Sequence, residues 1–344
     1  MNNFDEYKRL VEPGKKEKLS IWQTAIGLQD TDGLKPSNYL IESAKENIDG
    51  KITISDVKAR LDTYYKTKSK RVNNGDRTEE ADKVSANIAE ILAEKTFSFS
   101  PVEYINIHRR LFAGIYDFAG TIRDYNISKD EWALNGDTVY YASFENIKET
   151  LEYDFAQEKK FDYKGLNTRQ KVEHIADFIS GIWQIHPFVE GNTRTTAVFL
   201  IRYLRSMGFT VLDNLFTEHS WYFRNALVRA NYSKHTSDSY PTMEFLLCFL
   251  GNLILGENNI LRNRDMRIKS NNDDGNKVQN KVQNKVQADI LRIIADNPNI
   301  TQKELATQID KSERTTKTIM TEMQEQGLIT RSGSKKTGYW KITS

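Results

Sequence analysis

Along this chain, apolar residues recur at three- and four-residue intervals far more often than at alternate positions, a pattern that predicts helices. Helical periods run over 80–94, 100–113, 144–157, 168–185, 193–207, 218–231 and 241–256. Upstream, Gly33-Leu34-Lys35-Pro36-Ser37 reads as a helix stop followed by an N-cap, and Tyr39, Leu40 and Ala44 share a face of the helix it opens. Thr53-Ile54-Ser55-Asp56 caps another helix, with Val57, Leu61 and Tyr64 at helical spacing. One stretch departs from the rule. Between Trp132 and Tyr141, β-forming residues follow Asn135-Gly136-Asp137, a hairpin turn signal. The expected fold is mainly α, with a single β-hairpin in the main domain.

The same pattern divides the chain. Residues 1–70 form a small helical region, and the polar, basic stretch 66–78 reads as a loop. Residues 79–263 hold the main domain, and 264–287 a linker in which Asn-Lys-Val-Gln repeats place Val278, Val282 and Val286 on one stripe. A low-complexity spacer and a short association helix both fit that repeat. In 288–344, three helical segments precede Leu328-Ile329-Thr330-Arg331 and Gly338-Tyr339-Trp340-Lys341-Ile342, joined by a Gly-Ser-Lys turn. Three helices and a two-stranded wing describe a winged helix-turn-helix.

Composition narrows the class. The length of 344 residues suits two or more domains, and 38% hydrophobic with 28% charged residues suits a globular protein. A formal net charge of +2 does not by itself point to nucleic acid. Residues 277–344, however, carry twelve Lys/Arg against seven Asp/Glu, a net +5. Lys311, Arg314, Thr315, Thr316 and Lys317 open the recognition-helix candidate, and Arg331, Lys335 and Lys336 lie on the wing, the arrangement that binds DNA; a protein-binding winged helix fits as well. The single cysteine, Cys248, lies in an apolar run and reads as core. The start Met1-Asn2-Asn3-Phe4-Asp5-Glu6 carries no signal pattern, and no run of 18 apolar residues occurs, so the expectation is a cytoplasmic protein without a membrane partner.

The chemistry concentrates in His186-Pro187-Phe188-Val189-Glu190-Gly191-Asn192-Thr193-Arg194. Pro187 ends one helix, and another begins near Asn192 or Thr193. A helix start offers free N–H groups and a positive dipole end, hence an anion site. Gly191 lets the backbone approach an oxyanion, and Asn192 and Arg194 add donors. Glu190 is a hard oxygen ligand suited to Mg²⁺, and His186 suits a general base. His108, His174, His219 and His235 lack metal-ligand spacing and read as structural.

The run His186-Pro187-Phe188-x-Glu190-Gly191-Asn192-x-Arg194 resembles the signature of Fic-domain proteins. The resemblance spans roughly 79–260 and includes Ile107-His108-Arg109-Arg110-Leu111-Phe112 and Tyr116-Asp117-Phe118-Ala119-Gly120. It implies a helical fold that transfers AMP from ATP to a Ser, Thr or Tyr hydroxyl of a protein, the chain itself included. On that resemblance His186 is the base, Glu190 holds Mg²⁺ on the phosphates, and Gly191, Asn192, Thr193 and Arg194 bind and stabilise phosphate charge. The hairpin at 132–141 resembles the flap that registers the target, and Tyr222 and Asn231 resemble the adenine-side segment. A DNA-binding regulator with a nucleotide-sensing or inactive Fic domain remains open, as does a Fic-fold phosphotransferase. Homo-oligomerisation is also left open.

Two departures from the family pattern stand out. Thr193 replaces a frequent glycine, and Ala197 stands where a second arginine usually grips the γ-phosphate. Asp32-Gly33-Leu34-Lys35-Pro36 and Gly50-Lys51-Ile52-Thr53-Ile54-Ser55-Asp56-Val57 resemble the antitoxin segment that inhibits Fic toxins. Its Ser/Thr, Glu and Gly/Asn positions read Leu28, Asp32 and Gly33 here. The usual partner of the inhibitory carboxylate is the arginine absent at Ala197. Asp32 is therefore either an inhibitor through a rebuilt contact or a plain helix-terminal residue.

Overall fold

The computed structural model describes residue 7 and residues 12–68, 77–211, 214–233, 241–268, 290–295, 297–309, 313–325, 328–332 and 339–343. They fall into two compact units, Met1–Ile268 and Lys269–Ser344. The repeat valines Val278, Val282 and Val286, together with His235, Lys311, Lys335 and Lys336, lie outside the described residues. No helix among the described residues is long and apolar enough to cross a membrane.

The first unit is helical: α1 Lys16–Gly27, α2 Asn38–Ile48, α3 Ile54–Lys68, α4 Thr78–Ala93, α5 Pro101–Leu111, α6 Ile147–Lys160, α7 Thr168–Ile185, α8 Asn192–Ser206, α9 Asn214–Asn231 and α10 Glu244–Leu250. Helix α10 runs into a π-turn at Gly251–Leu255, within the span predicted as one helix. A capping box between Asn167 and Gln170 starts α7, and Ser37 and Ser100 cap α2 and α5 through their hydroxyls. Helix α8 is the centre: every residue from Asn192 to Leu204 is buried, including Arg194 and Arg202. It packs against α4, α5 and α7. Its period therefore marks a helix enclosed on all sides rather than one with a solvent face.

Helices α1, α2 and α3 share one hydrophobic core with the rest of this unit, from Trp22 and Leu40 through Phe188 and Phe199 to Phe249. Helix α1 crosses α9 closely at Gly27, where an added Cβ would lie 2.4 Å from the Thr217 Cα. The Ser220 hydroxyl donates to the Gly27 carbonyl at the same crossing. That close approach aims the 3₁₀ turn Leu28–Asp32 at the start of α8.

The segment 132–141 differs from the predicted hairpin. A turn does form at Asn135-Gly136, with Asn135 in the left-handed region and the Glu131 N–H donating to the Asp137 carbonyl at 2.9 Å. Its flanks form no β-ladder. Trp132–Leu134 coils into a 3₁₀ turn that buries Ala133 and Leu134, and burial there overrides β propensity. Asn135 donates to the Ile268 carbonyl, and Ile268 N–H donates to Ala133, so the loop is tied to the end of the unit.

In the second unit, residues 290–295 form α11, followed by α12 Gln302–Gln308, α13 Glu313–Glu325 and the antiparallel strands β1 Ile329–Ser332 and β2 Tyr339–Ile342. Thr301 and Glu304 close a capping box on α12. Ile290, Ile294, Leu305, Met320, Met323, Ile329 and Trp340 make a separate core. The fold class is thus mainly α, with a small winged sheet at the C-terminal end.

Candidate active site

The loop between α7 and α8 is built from its own side chains. His186 ends α7 in the left-handed conformation, with φ 50°. The Asn192 amide spans the loop, accepting from the Phe188 N–H at 3.0 Å and donating to the Phe188 carbonyl at 2.7 Å. Trp183 Nε1 donates to the Thr193 hydroxyl at 3.0 Å, locking the corner between the helices. Gly191 has φ 79°, and an added Cβ would lie 2.2 Å from the Phe112 ring, so no side chain fits there. No side chain caps the start of α8, so the amides of 192–194 keep their donors for an anion.

His186 is buried. Its Nδ1 lies 3.3 Å from the Trp183 carbonyl, which makes Nδ1 the protonated nitrogen and leaves a lone pair on Nε2. Nε2 is buried with no hydrogen-bond partner among the described residues. Burial first, then the nearby charges of Lys129, Arg123 and Arg224, hold its pKa well below the ordinary value. Tyr141, from the flap, stacks on the ring at 4.0 Å. The Tyr141 hydroxyl donates to Glu131 at 3.2 Å, and Glu131 pairs with Arg224 at 2.7 Å. Burial raises the Glu131 carboxyl pKa.

Arg194 is fully buried, and its guanidinium is enclosed. It donates to Glu80 at 2.7 Å and to the Gln29 side-chain oxygen at 3.0 Å, and it lies over the Phe112 ring at 4.8 Å. Nε sits 2.8 Å from Asp32 as an ion pair without a well-aligned hydrogen bond. Burial opposes the charge, but Asp32 and Glu80 outweigh it and raise the pKa. The Asp32 carboxylate thus pairs with Arg194, the arginine of the motif.

Glu190 is partly exposed, and its carboxylate lies 3.2 Å from Lys129 Nζ. His108 fixes its backbone: the ring donates from Nε2 to the Glu190 carbonyl at 3.0 Å and accepts from the Gly120 N–H at 2.8 Å. Stacked on Phe188 at 3.7 Å and buried, His108 has its pKa pushed down to about 4 by desolvation. Its part is structural, as its spacing implied. Asn231 lies on the far end of α9, donating to Ser180 Oγ at 2.9 Å, and Tyr222 is buried against Phe249. The described contacts join neither residue to His186 or to the 188–194 loop.

Four contributors escaped the sequence reading. Glu80 and Gln29 hold Arg194 across separations of 114 and 165 residues. Arg123 donates to the carbonyls of His186, Tyr125 and Ala142, and its N–H to Pro187, stitching flap to motif. Lys129 reaches Glu190 across 61 residues.

Two parts of the chain match known families. Residues 98–204 match the family described as Fic/DOC family, and residues 283–330 match the family described as winged helix-turn-helix DNA-binding. Protein adenylyltransferase VbhT of Bartonella schoenbuchensis (strain DSM 13525 / NCTC 13165 / R1) is 28% identical over 105 residues, 30% of this chain and 21% of that protein. The chain thus spans about a fifth of that relative's length. Among solved structures, the N-terminal Fic domain of an effector from Bartonella sp. AR 15-3 is 19% identical, covering 52% of this chain and 81% of its own, with a TM-score of 0.42. BepC of Bartonella tribocorum, solved with bound AMPPNP, is 20% identical over 51% of this chain and 83% of its own, with a TM-score of 0.40. Superpositions at these scores carry no argument about the site. Together the two family matches establish that the chain carries a Fic/DOC family domain at 98–204 and a winged helix-turn-helix at 283–330.

Proposed function

We propose that the protein is a Fic-type adenylyltransferase that moves AMP from ATP to a Ser, Thr or Tyr hydroxyl of a protein, its own chain included. One observation carries the reading: a neutral, buried imidazole whose Nε2 lone pair has no partner, next to an uncapped helix start. His186 Nε2 takes the hydroxyl proton while the oxygen bonds to the α-phosphorus. The bond from that phosphorus to the β-phosphate bridging oxygen breaks, and pyrophosphate leaves. The amides of Gly191, Asn192, Thr193 and Arg194 stabilise the developing charge. Asn192 contributes mainly by holding the loop, since both polar ends of its side chain bond Phe188.

Glu190 belongs to no group of three or more potential metal ligands among the described residues, which suits Mg²⁺, an ion that keeps most of its waters and shares phosphate oxygens; bound there it would neutralise phosphate charge. Asn231, whose Oδ1 makes no hydrogen bond among the described residues, is the group we assign to the adenine, ahead of Tyr222. The flap segment 132–141 forms no β-ladder, so its backbone groups can pair with a target strand. Asp32 acts as the inhibitory carboxylate, since it closes off the guanidinium that phosphate would need. The winged helix directs the enzyme to DNA.

The test is incubation of the full chain with Mg²⁺ and α-labelled ATP. Label should appear on protein and vanish with His186→Ala; persistence in that variant sinks the assigned base. Label from γ-labelled ATP instead would make the reaction phosphotransfer. The caged Arg194 and the alanine at position 197 favour a second reading, a DNA-binding regulator with a silent Fic domain. Sequence-specific DNA binding with no label from either ATP, even after Asp32→Ala, would establish it.

A further inference from the structure

The donor site, as proposed above, lacks a cation where its chemistry most needs one. A triphosphate brings several negative charges, while a helix start supplies only about half a positive charge. Position 197, three residues beyond Arg194, is an alanine with 0% exposure, and α8 is buried all round there. Arg194 is enclosed between two carboxylates, so its neighbourhood is net negative.

Three cations act on His186. Arg123 is buried, with its donors spent on backbone carbonyls. Arg224 is held by the buried Glu131 and lies over Trp221 at 5.0 Å. Lys129 differs from both. Its charge is the one felt most strongly at His186, yet the ammonium has one described partner, the partly exposed carboxylate of Glu190. Its side chain is 25% exposed, and the residue precedes the flap segment and reaches the carboxylate of Glu190 at the edge of the anion loop. A four-carbon stem lets it swing without moving the backbone.

We infer that Lys129 is a phosphate-binding residue of the donor site, leaving Glu190 as nucleotide enters and gripping the phosphates beyond the reacting one, in place of the cation absent at position 197. The inference rests on the adenylyltransferase reading. It makes Glu190 and Lys129 an exchange pair: the resting ion pair orients each group, and the incoming phosphates take the ammonium as the carboxylate becomes available to a divalent cation. A partly exposed ion pair of this kind is weak, so charge-assisted bonds to phosphate can outcompete it.

Calorimetric titration of the full chain with Mg²⁺-ATP and separately with AMP tests this on the wild type, Lys129→Met and Lys129→Arg. Lys129→Met should weaken ATP binding about tenfold while changing AMP binding by less than about twofold, and Lys129→Arg should recover to within about threefold of wild type. Unchanged melting temperatures would exclude a folding effect. If the wild type binds ATP and Lys129→Met binds it as well or more tightly, Lys129 merely blocks Glu190; the inference falls and the donor site stands. If none of the three chains takes up ATP, the donor reading fails and the inference with it.

Discussion

At the scale of single residues, the site is set by groups whose alternatives are sterically or electrostatically closed. Gly191 has a left-handed backbone and a phenylalanine ring where a Cβ would be. Gly191→Ala should lower stability by about 2 kcal/mol or more, read as a drop in urea midpoint, and a neutral result would mean Phe112 moves freely. His108 gives a pH signature. Its folded pKa, about 4, lies below the unfolded value near 6.5, so the unfolded chain binds the proton first. Stability from this residue is complete above about pH 6.5 and is lost as pH falls toward about 4, by roughly 3 kcal/mol. His186 adds in the same direction. Melting curves between pH 7 and 4 should be flatter for His108→Gln than for wild type; identical slopes would remove His108 from the account.

At the scale of elements, the controlling feature is the crossing of α1 over α9. Gly27 brings the two backbones together, and the turn that follows carries Gln29 and Asp32 to Arg194. Gly27→Ala should prise α1 away and, like Asp32→Ala, increase self-labelling from ATP at a cost of roughly 1–3 kcal/mol in stability. Release without any gain in labelling would make Asp32 a structural partner of a buried arginine and nothing more. Much of this level is legible in sequence. The period over 168–185 coincides with α7, and Pro187 marks its end because proline cannot continue a helix. The chemistry of 186–194 is legible for the same reason, being local: a stop, a turn glycine and a new helix start within nine residues. The flap was not legible as it stands, since Trp132–Leu134 gives up strand geometry to bury apolar side chains that only the tertiary fold supplies. Nor were Glu80 and Lys129. A charge on a helix face looks the same in sequence whether it meets water or a cation more than a hundred residues away.

At the scale of the whole molecule, the match to the Fic/DOC family and the winged helix-turn-helix strands fall in units with separate cores. Among the described residues, Trp340 and Met323 belong to the core of the second unit, and Phe188 and Phe199 to that of the first. The net +5 of residues 277–344 exceeds the +2 of the full chain, so the rest is slightly acidic and would be repelled by a polyphosphate backbone. On the proposed function, DNA affinity is expected from the second unit, and labelling from ATP is expected to survive its removal. A chain ending at residue 268 should keep labelling to within about threefold and lose DNA retention, and the full chain's DNA affinity should fall by about tenfold or more between 50 and 200 mM salt. The truncation separates two causes of any failure. Lost labelling with an intact melting transition would mean that the winged helix completes the active site, whereas lost melting would mean that the first core is not self-sufficient. DNA affinity insensitive to salt would argue that the excess of lysine and arginine after residue 277 faces a protein partner instead.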